Sequence, residues 1–155
     1  MPFVARRADL PTHPGQVGLP GGGVQEGETA WEAAAREVHE EIGLQAIKLR
    51  PLGASAPVYA AVSNFCVVPF VAWMPSVEPQ FVAQPSEVEA VLEIPLSLLL
   101  DRTAWKGGVG RPDRHLPFHG TLIWGLTARI LDDLLPPLER ALGGDLTPSA
   151  RQPDA

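Results

Sequence analysis

One cysteine is all that this chain of 155 residues contains, so Cys66 has no partner for an internal disulfide, and a reducing cytoplasm is the expected compartment. Lysine is almost as scarce, with two residues against ten arginines, and the formal net charge is −6. That balance excludes the broad basic face of an electrostatic nucleic-acid binder, so no nucleic-acid partner is expected. No apolar run approaches the roughly 20 residues needed to cross a bilayer, and no segment has the charged start, apolar middle and small-residue cleavage site of a signal peptide. A membrane partner is therefore not expected either. What is present is a composition 45% hydrophobic, enough for one sizeable core and too short for two ordinary domains. Residues 1–142 are expected to form one domain and residues 143–155 a disordered tail.

Residues 3–5 read as a short strand. Residues 11–27 are crowded with Pro and Gly and read as loop. Thr29 has the character of a helix N-cap, with Glu32 three positions on completing a capping box, and the helix runs over residues 30–42 until Gly43 supplies a left-handed cap. Strand-like stretches follow at residues 46–50, 57–62 and 65–74, the last interrupted by Pro69, and a short strand at 91–94 precedes the apolar segment 95–100. Residues 107–112 read as a turn. Leu122, Ile123, Leu126, Ile130, Leu131 and Leu134 recur at helical spacing, so a second amphipathic helix is expected over 121–135, ending at Pro136 and Pro137. This order of elements predicts an α/β layered domain, a mixed sheet with a helix on each face.

On an α-helix Glu37, Glu40 and Glu41 fall within an arc of roughly 100°, so three carboxylates share one face. Trp31, Ala34, Ala35, Val38 and Ile42 gather on an adjacent face that can bury against a sheet, and the small Ala33 leaves room for the glycine loop to approach. Clustered carboxylates repel one another, and a hard cation such as Mg²⁺ or Mn²⁺, which takes oxygen ligands, is the best reason to gather them. In an acidic protein such a cation is also what would let a phosphate-bearing substrate approach. Arg36 is four residues before Glu40 and can pair with it or with Glu28. An isolated acidic run on a helix is ordinarily a solvated surface, but this one is not isolated. Gly22, five residues, Glu28, seven residues, Arg36-Glu37-Val38, one residue, Glu40-Glu41, one residue and Gly43-Leu44 form a spaced pattern whose chance occurrence is on the order of one in ten million.

That pattern resembles the Nudix box at every specified position. The resemblance to Nudix hydrolases implies an α/β/α sandwich in which the box forms loop, helix and loop, and Mg²⁺- or Mn²⁺-dependent cleavage of a nucleoside diphosphate linked to another moiety. Carried over by position, Glu37, Glu40 and Glu41 match the metal-binding carboxylates, Gly21 matches the residue whose carbonyl often joins them, and Glu28 and Arg36 match the supporting pair. A metal there neutralises charge building up on phosphate oxygens and lowers the pKa of a bound water. Glu87, and less so Glu89, stands in the loop region where many Nudix enzymes supply a further carboxylate as base or ligand.

Upstream, residues 3–22 are similar to the signature of the coenzyme A pyrophosphatase branch, L-L-T-x-R-[S/A]-x₃-R-x₃-G-x₃-F-P-G-G. Arg6, Gly15, Pro20, Gly21 and Gly22 match it, whereas Val4, Arg7, Pro11 and Leu19 stand where Thr, Ser or Ala, Arg and Phe are usual. Ser63-Asn64-Phe65, Pro69-Phe70-Val71, Pro85-Ser86-Glu87-Val88 and Ile123–Ala128 also resemble segments of that branch. The implied reaction converts coenzyme A to 3′,5′-ADP and 4′-phosphopantetheine, with Arg6 and Arg7 meeting phosphate groups through paired hydrogen bonds. The alternatives are a Nudix enzyme acting on ADP-ribose or another dinucleotide, and a non-catalytic Nudix nucleotide-binding module. Such modules commonly lose metal-ligand acids, and here all are present. Family members usually carry a further strand and helix ahead of the position where this chain begins. Either the natural start lies upstream, or a second copy covers the sheet edge near residues 3–5 and the chain is a homodimer. His13, His39, His115 and His119 lack metal-ligand spacing and read as structural or surface residues, and Cys66, between Phe65 and Val67, as a buried inert thiol.

Overall fold

The structure is a computed structural model that describes residues 1–45, 48–61, 63–75 and 79–143. The expected disordered tail, from residue 144 on, lies outside the described residues, as do Ala46 and Ile47 at the start of one expected strand. In chain order the elements are β1 (Pro2–Arg6), β2 (Val17–Gly18), α1 (Ala30–Ile42), β3 (Arg50–Ala54), β4 (Val58–Ala60), β5 (Phe65–Val67), β6 (Phe70–Trp73), β7 (Val88–Glu93), α2 (Leu96–Leu100), β8 (His115–Phe118), β9 (Thr121–Trp124) and α3 (Gly125–Ala141). The α/β character expected from the sequence holds. Its strands form a β2-β1-β7 sheet and three ribbons, β3-β6, β4-β5 and β8-β9, and every pairing is antiparallel among the described residues, in place of one continuous mixed sheet.

β1 organises the core because successive strand side chains point to opposite faces. Phe3 is fully buried in a cluster with Ile94, just after β7, and with Leu99, Leu116, Ile123 and Leu131, drawn from α2, the β8-β9 ribbon and α3. Val4, next in sequence, packs on the other face with Ile42 and Leu44 at the end of α1 and with Val88. One strand thus lies between α1 and the α2/α3 layer, the layered arrangement expected. Each such large apolar side chain stabilises the fold by about 1.5–3 kcal/mol relative to exposure. β1 is paired on both sides, with β7 along its length and with β2 at Val4 and Ala5. The edge that a second copy was expected to cover is, at those residues, covered from within the chain.

Residues 121–135 are not a single helix. Thr121–Trp124 is strand β9, where Ile123 is buried and Leu122 and Trp124 are exposed, so strict alternation wins over the apparent helical spacing. His119 and Gly120, both at positive φ, form a two-residue turn matched to hairpin twist and pair β9 with β8. α3 then starts at Gly125 and runs through Pro136 and Pro137 to Ala141, instead of ending at the prolines. Proline removes a helix hydrogen bond, but Leu131, Leu134 and Leu135 bury the preceding turn, and Glu139 beyond is bonded to Arg102. The strand expected at 65–74 is split into β5 and β6 at Val68 and Pro69. Among the described residues no helix is long and apolar enough to cross a membrane.

Candidate active site

α1 begins and ends where its sequence dictates. The Thr29 amide donates to Glu32 Oε2 (2.8 Å), the Glu32 amide donates back to Thr29 Oγ1 (3.3 Å), and Gly43 closes the helix in the left-handed region. The fixed helix buries Ala33, Ala35, Ile42 and, unusually, Glu41, which is 4% exposed. The acidic face is therefore graded, from buried Glu41 through half-buried Glu37 to exposed Glu40. The Pro-Gly loop lies against it: the Gly21 amide donates to Glu41 Oε2 at 2.9 Å. A Cβ on Gly22 would overlap the Glu37 carboxylate as it stands, so a larger residue there would push that carboxylate from its place beside Arg36. It is the amide of Gly21, not its carbonyl, that meets an acid here.

Arg36 joins three of the acids. Its Nε and Nη2 donate to Glu28 (2.9 and 3.2 Å), Nη1 donates to Glu37 (2.7 Å) and Glu40 (3.1 Å), and Nη2 also reaches the Gly23 carbonyl (3.0 Å). Both pairings considered from the sequence, with Glu28 and with Glu40, thus occur together. The Arg36 hydrogen bonds hold the Glu28 carboxyl below its ordinary pKa. Glu41 moves the opposite way, to about 7, because burial penalises its charged form and Glu37 and Glu87 add like charge, against the Gly21 amide and Arg6. Arg6 Nη1 is 3.9 Å from Glu41 Oε1, and its buried Nε has no hydrogen-bond partner.

Glu87 reaches this centre through the end of α1. The amides of Val82 and Gln84 donate to the carbonyls of Ile42 and Glu41 (both 2.9 Å), and the Glu87 and Val88 amides then donate to Gln84 (3.1 and 2.8 Å). The turn is thereby fastened to the helix that carries Glu41, with Glu87 exposed at its rim. Glu89 is also exposed. Arg7, expected beside Arg6, is engaged elsewhere: it grips Asp9 at 2.8 and 2.7 Å and donates to the Pro85 carbonyl at 3.0 Å. Neither Asp9 nor Gln84 was singled out by sequence reasoning. The Arg-x-Asp spacing at a strand end was the only available signal for Asp9, and Gln84 acts through its backbone, which leaves none. Cys66 is exposed, contrary to the buried thiol expected, because β4-β5 is a two-stranded ribbon that no third strand covers among the described residues. His39 is exposed, and His115 Nδ1 is 2.8 Å from the Asp113 carbonyl, away from the acids.

Among the described residues no three acidic, His or Cys side chains converge as they stand on a point that could hold an ion. Arg36 draws Glu37 and Glu40 to itself while Gly21 and Arg6 hold Glu41. The donor set nevertheless suits a hard cation: it is all oxygen, and a positive ion would relieve both the burial and the like-charge cost on Glu41.

Residues 3–110, spanning β1, the glycine loop, α1 and the Glu87 turn, match the NUDIX domain. The chain belongs to the Nudix hydrolases. It is 36% identical over 137 residues to the uncharacterized Nudix hydrolase NudL of Yersinia enterocolitica, covering 83% of this chain and 69% of that one. It is 31% identical over 153 residues to Nudix hydrolase 3 of Caenorhabditis elegans, covering 84% and 63% respectively. In fold it is similar to the MutT protein of Methanosarcina mazei, with a TM-score of 0.58 at 21% identity over 92% of this chain and 84% of that one. Nudix hydrolases generally use divalent metal ions and act on small molecules.

Proposed function

We propose that this Nudix hydrolase cleaves the diphosphate of coenzyme A, giving 3′,5′-ADP and 4′-phosphopantetheine, with Mg²⁺ or Mn²⁺ held by Glu37, Glu40, Glu41 and the Gly21 carbonyl. The observation that carries the substrate is the upstream segment: the Arg6 that matches the coenzyme A pyrophosphatase signature stands 3.9 Å from Glu41 with an unsatisfied Nε. With its side chain 25% exposed at the edge of the acidic centre, the guanidinium can offer its Nη groups to a phosphate oxygen. When bound, the metal would offset charge building on the phosphate oxygens and acidify a water. The protein's own contribution is to place the groups around it. Arg36 and Glu28 hold the glycine loop against α1, through Gly23, so that Gly21 and Glu41 stay in register. Glu87, at the rim, accepts a proton at its carboxylate as water adds to phosphorus. The bridging oxygen then leaves with the other phosphate, so one water is consumed and one proton released. A cytoplasmic location and no nucleic-acid partner go with this reading, supported by the single cysteine and the net charge of −6.

A panel of coenzyme A, ADP-ribose and other dinucleotides, assayed with Mg²⁺ and with Mn²⁺, tests this reading. Chromatography should show the two coenzyme A products rising together. Intact coenzyme A alongside fast cleavage of ADP-ribose would remove the substrate and leave the diphosphate hydrolase. No turnover of any dinucleotide under either metal would favour a binding module.

A further inference from the structure

Arg7 lies one residue beyond Arg6, yet the two guanidinium groups have different surroundings. Arg6 turns toward Glu41. Arg7 presents Nε and Nη2 to the two oxygens of Asp9, the planar fork that fixes a guanidinium in one orientation. Its remaining Nη1 is thereby aimed at the Pro85 carbonyl, 3.0 Å away and two residues before Glu87. The Arg7 amide donates to the Glu87 carbonyl at 3.0 Å, so both main chain and side chain of one residue hold the same turn. β1 is anchored between β2 and β7, and it shifts register between Ala5 and Arg6, where the chain leaves the regular ladder to make these contacts.

We infer that Arg7, oriented by Asp9, is a positioning residue that fixes the 84–88 turn and hence the carboxylate of Glu87, and that it does not hold a substrate phosphate. The inference rests on the reading of Glu87 as proton acceptor. Asp9 separates the two roles by sign. If Arg7 were a phosphate ligand, removing Asp9 would free a positive charge and tighten substrate binding. If Arg7 is a clamp, removing Asp9 loosens the turn and slows the chemical step.

The test uses the full chain with Mg²⁺ and its best diphosphate substrate. Arg7→Ala and Asp9→Ala should each lower kcat about fivefold with KM within about twofold, because the clamp acts on the group that reacts and not on substrate affinity. Arg7→Lys, which keeps the charge but cannot form the fork, should not restore kcat. Adding Arg7→Ala to Glu87→Gln should cost nothing further, since the two act through one carboxylate. A lower KM for Asp9→Ala, full rescue by Arg7→Lys, or additive losses in the double variant would each overturn the clamp. Amide hydrogen exchange at Glu87 and Val88 reads the turn independently of catalysis. If Glu87→Gln leaves kcat unchanged, the proton-acceptor reading falls. Exchange then decides for Arg7: faster in Arg7→Ala supports a clamp on the turn, and unchanged rates overturn it.

Discussion

Arg36 and Arg114 are both sheltered arginines held by carboxylates, yet the charge around them does not balance in the same way. Arg114 pairs with Asp132 at 3.1 Å, their side chains 11% and 8% exposed, and its guanidinium lies 4.6 Å from the centre of the Trp105 ring. Asp132 spends its other oxygen on the Gly110 amide (2.8 Å), which ties the 107–114 turn to α3. One positive group meets one negative group, and every contact serves the fold. Arg36 faces Glu28, Glu37 and Glu40 together, with Glu41 buried close behind. A balanced pair is a structural clamp; the surplus of carboxylates around Arg36 is the charge that the proposed function assigns to a bound cation.

The sharpest way to break this comparison is to remove one carboxylate from the surplus. Glu41→Gln should lower turnover about a hundredfold or more while leaving the fold intact, because it preserves volume and deletes one metal-binding charge. Full turnover at saturating Mg²⁺ would contradict the acidic face as the centre. The same variant carries a pH signature. Glu41 titrates near 7 in the fold against 4.5 ordinarily, so its neutral form is the one the fold favours. Its stabilising contribution is complete below about pH 4.5 and is lost as pH rises through about 7. Chelator-treated protein should therefore lose on the order of 2 kcal/mol between pH 5 and pH 8, and Glu41→Gln should flatten that slope. Denaturant titration at the two pH values checks both. Equal slopes for the two proteins would mean that Glu41 is charged at little cost.

The balanced pair should answer in stability instead. Asp132→Ala leaves Arg114 buried without its carboxylate and the Gly110 amide without an acceptor. A loss of about 3 kcal/mol in unfolding free energy is expected, with kcat per folded molecule within about twofold. If activity fell as steeply as stability, the 107–114 turn would belong to the site.

Much of the candidate site was legible because it is local. Thr29, Glu32 and Gly43 fix a helix within one segment, and a helix fixes which of its acids share a face. What the sequence could not show is which way each partner turns. Gly21 matched a carbonyl ligand by position, but nothing in its sequence context signalled that its amide also bonds Glu41, and Glu87 is tied to Glu41 by backbone groups. The β9 strand was hidden for a different reason. Leu122 and Ile123 fit a helical stripe as well as they fit alternation, and only pairing with β8 decides between the two. The length of α3 likewise depends on the burial of Leu131, Leu134 and Leu135, a tertiary effect that outweighs the local penalty of two prolines.

Arg6 is where surplus and substrate meet, and it gives the smallest and most discriminating effect. Its guanidinium has two claims on it: it offsets charge on Glu41, and its buried Nε is still without a partner. A role confined to Glu41 makes Arg6→Ala equally harmful for every substrate. A role at the 3′-phosphate makes it more harmful for coenzyme A than for ADP-ribose, which lacks that group, because a lost charge-assisted contact affects only the substrate that makes it. The proposed function predicts the second pattern, with kcat/KM for coenzyme A falling about fivefold further than for ADP-ribose. Raising the salt concentration should narrow the gap, since Arg6 is partly open to solvent and its attraction for phosphate is screened there. Equal losses on both substrates would return Arg6 to the acidic centre as a counter-charge for Glu41 and leave the 3′-phosphate without a partner on β1.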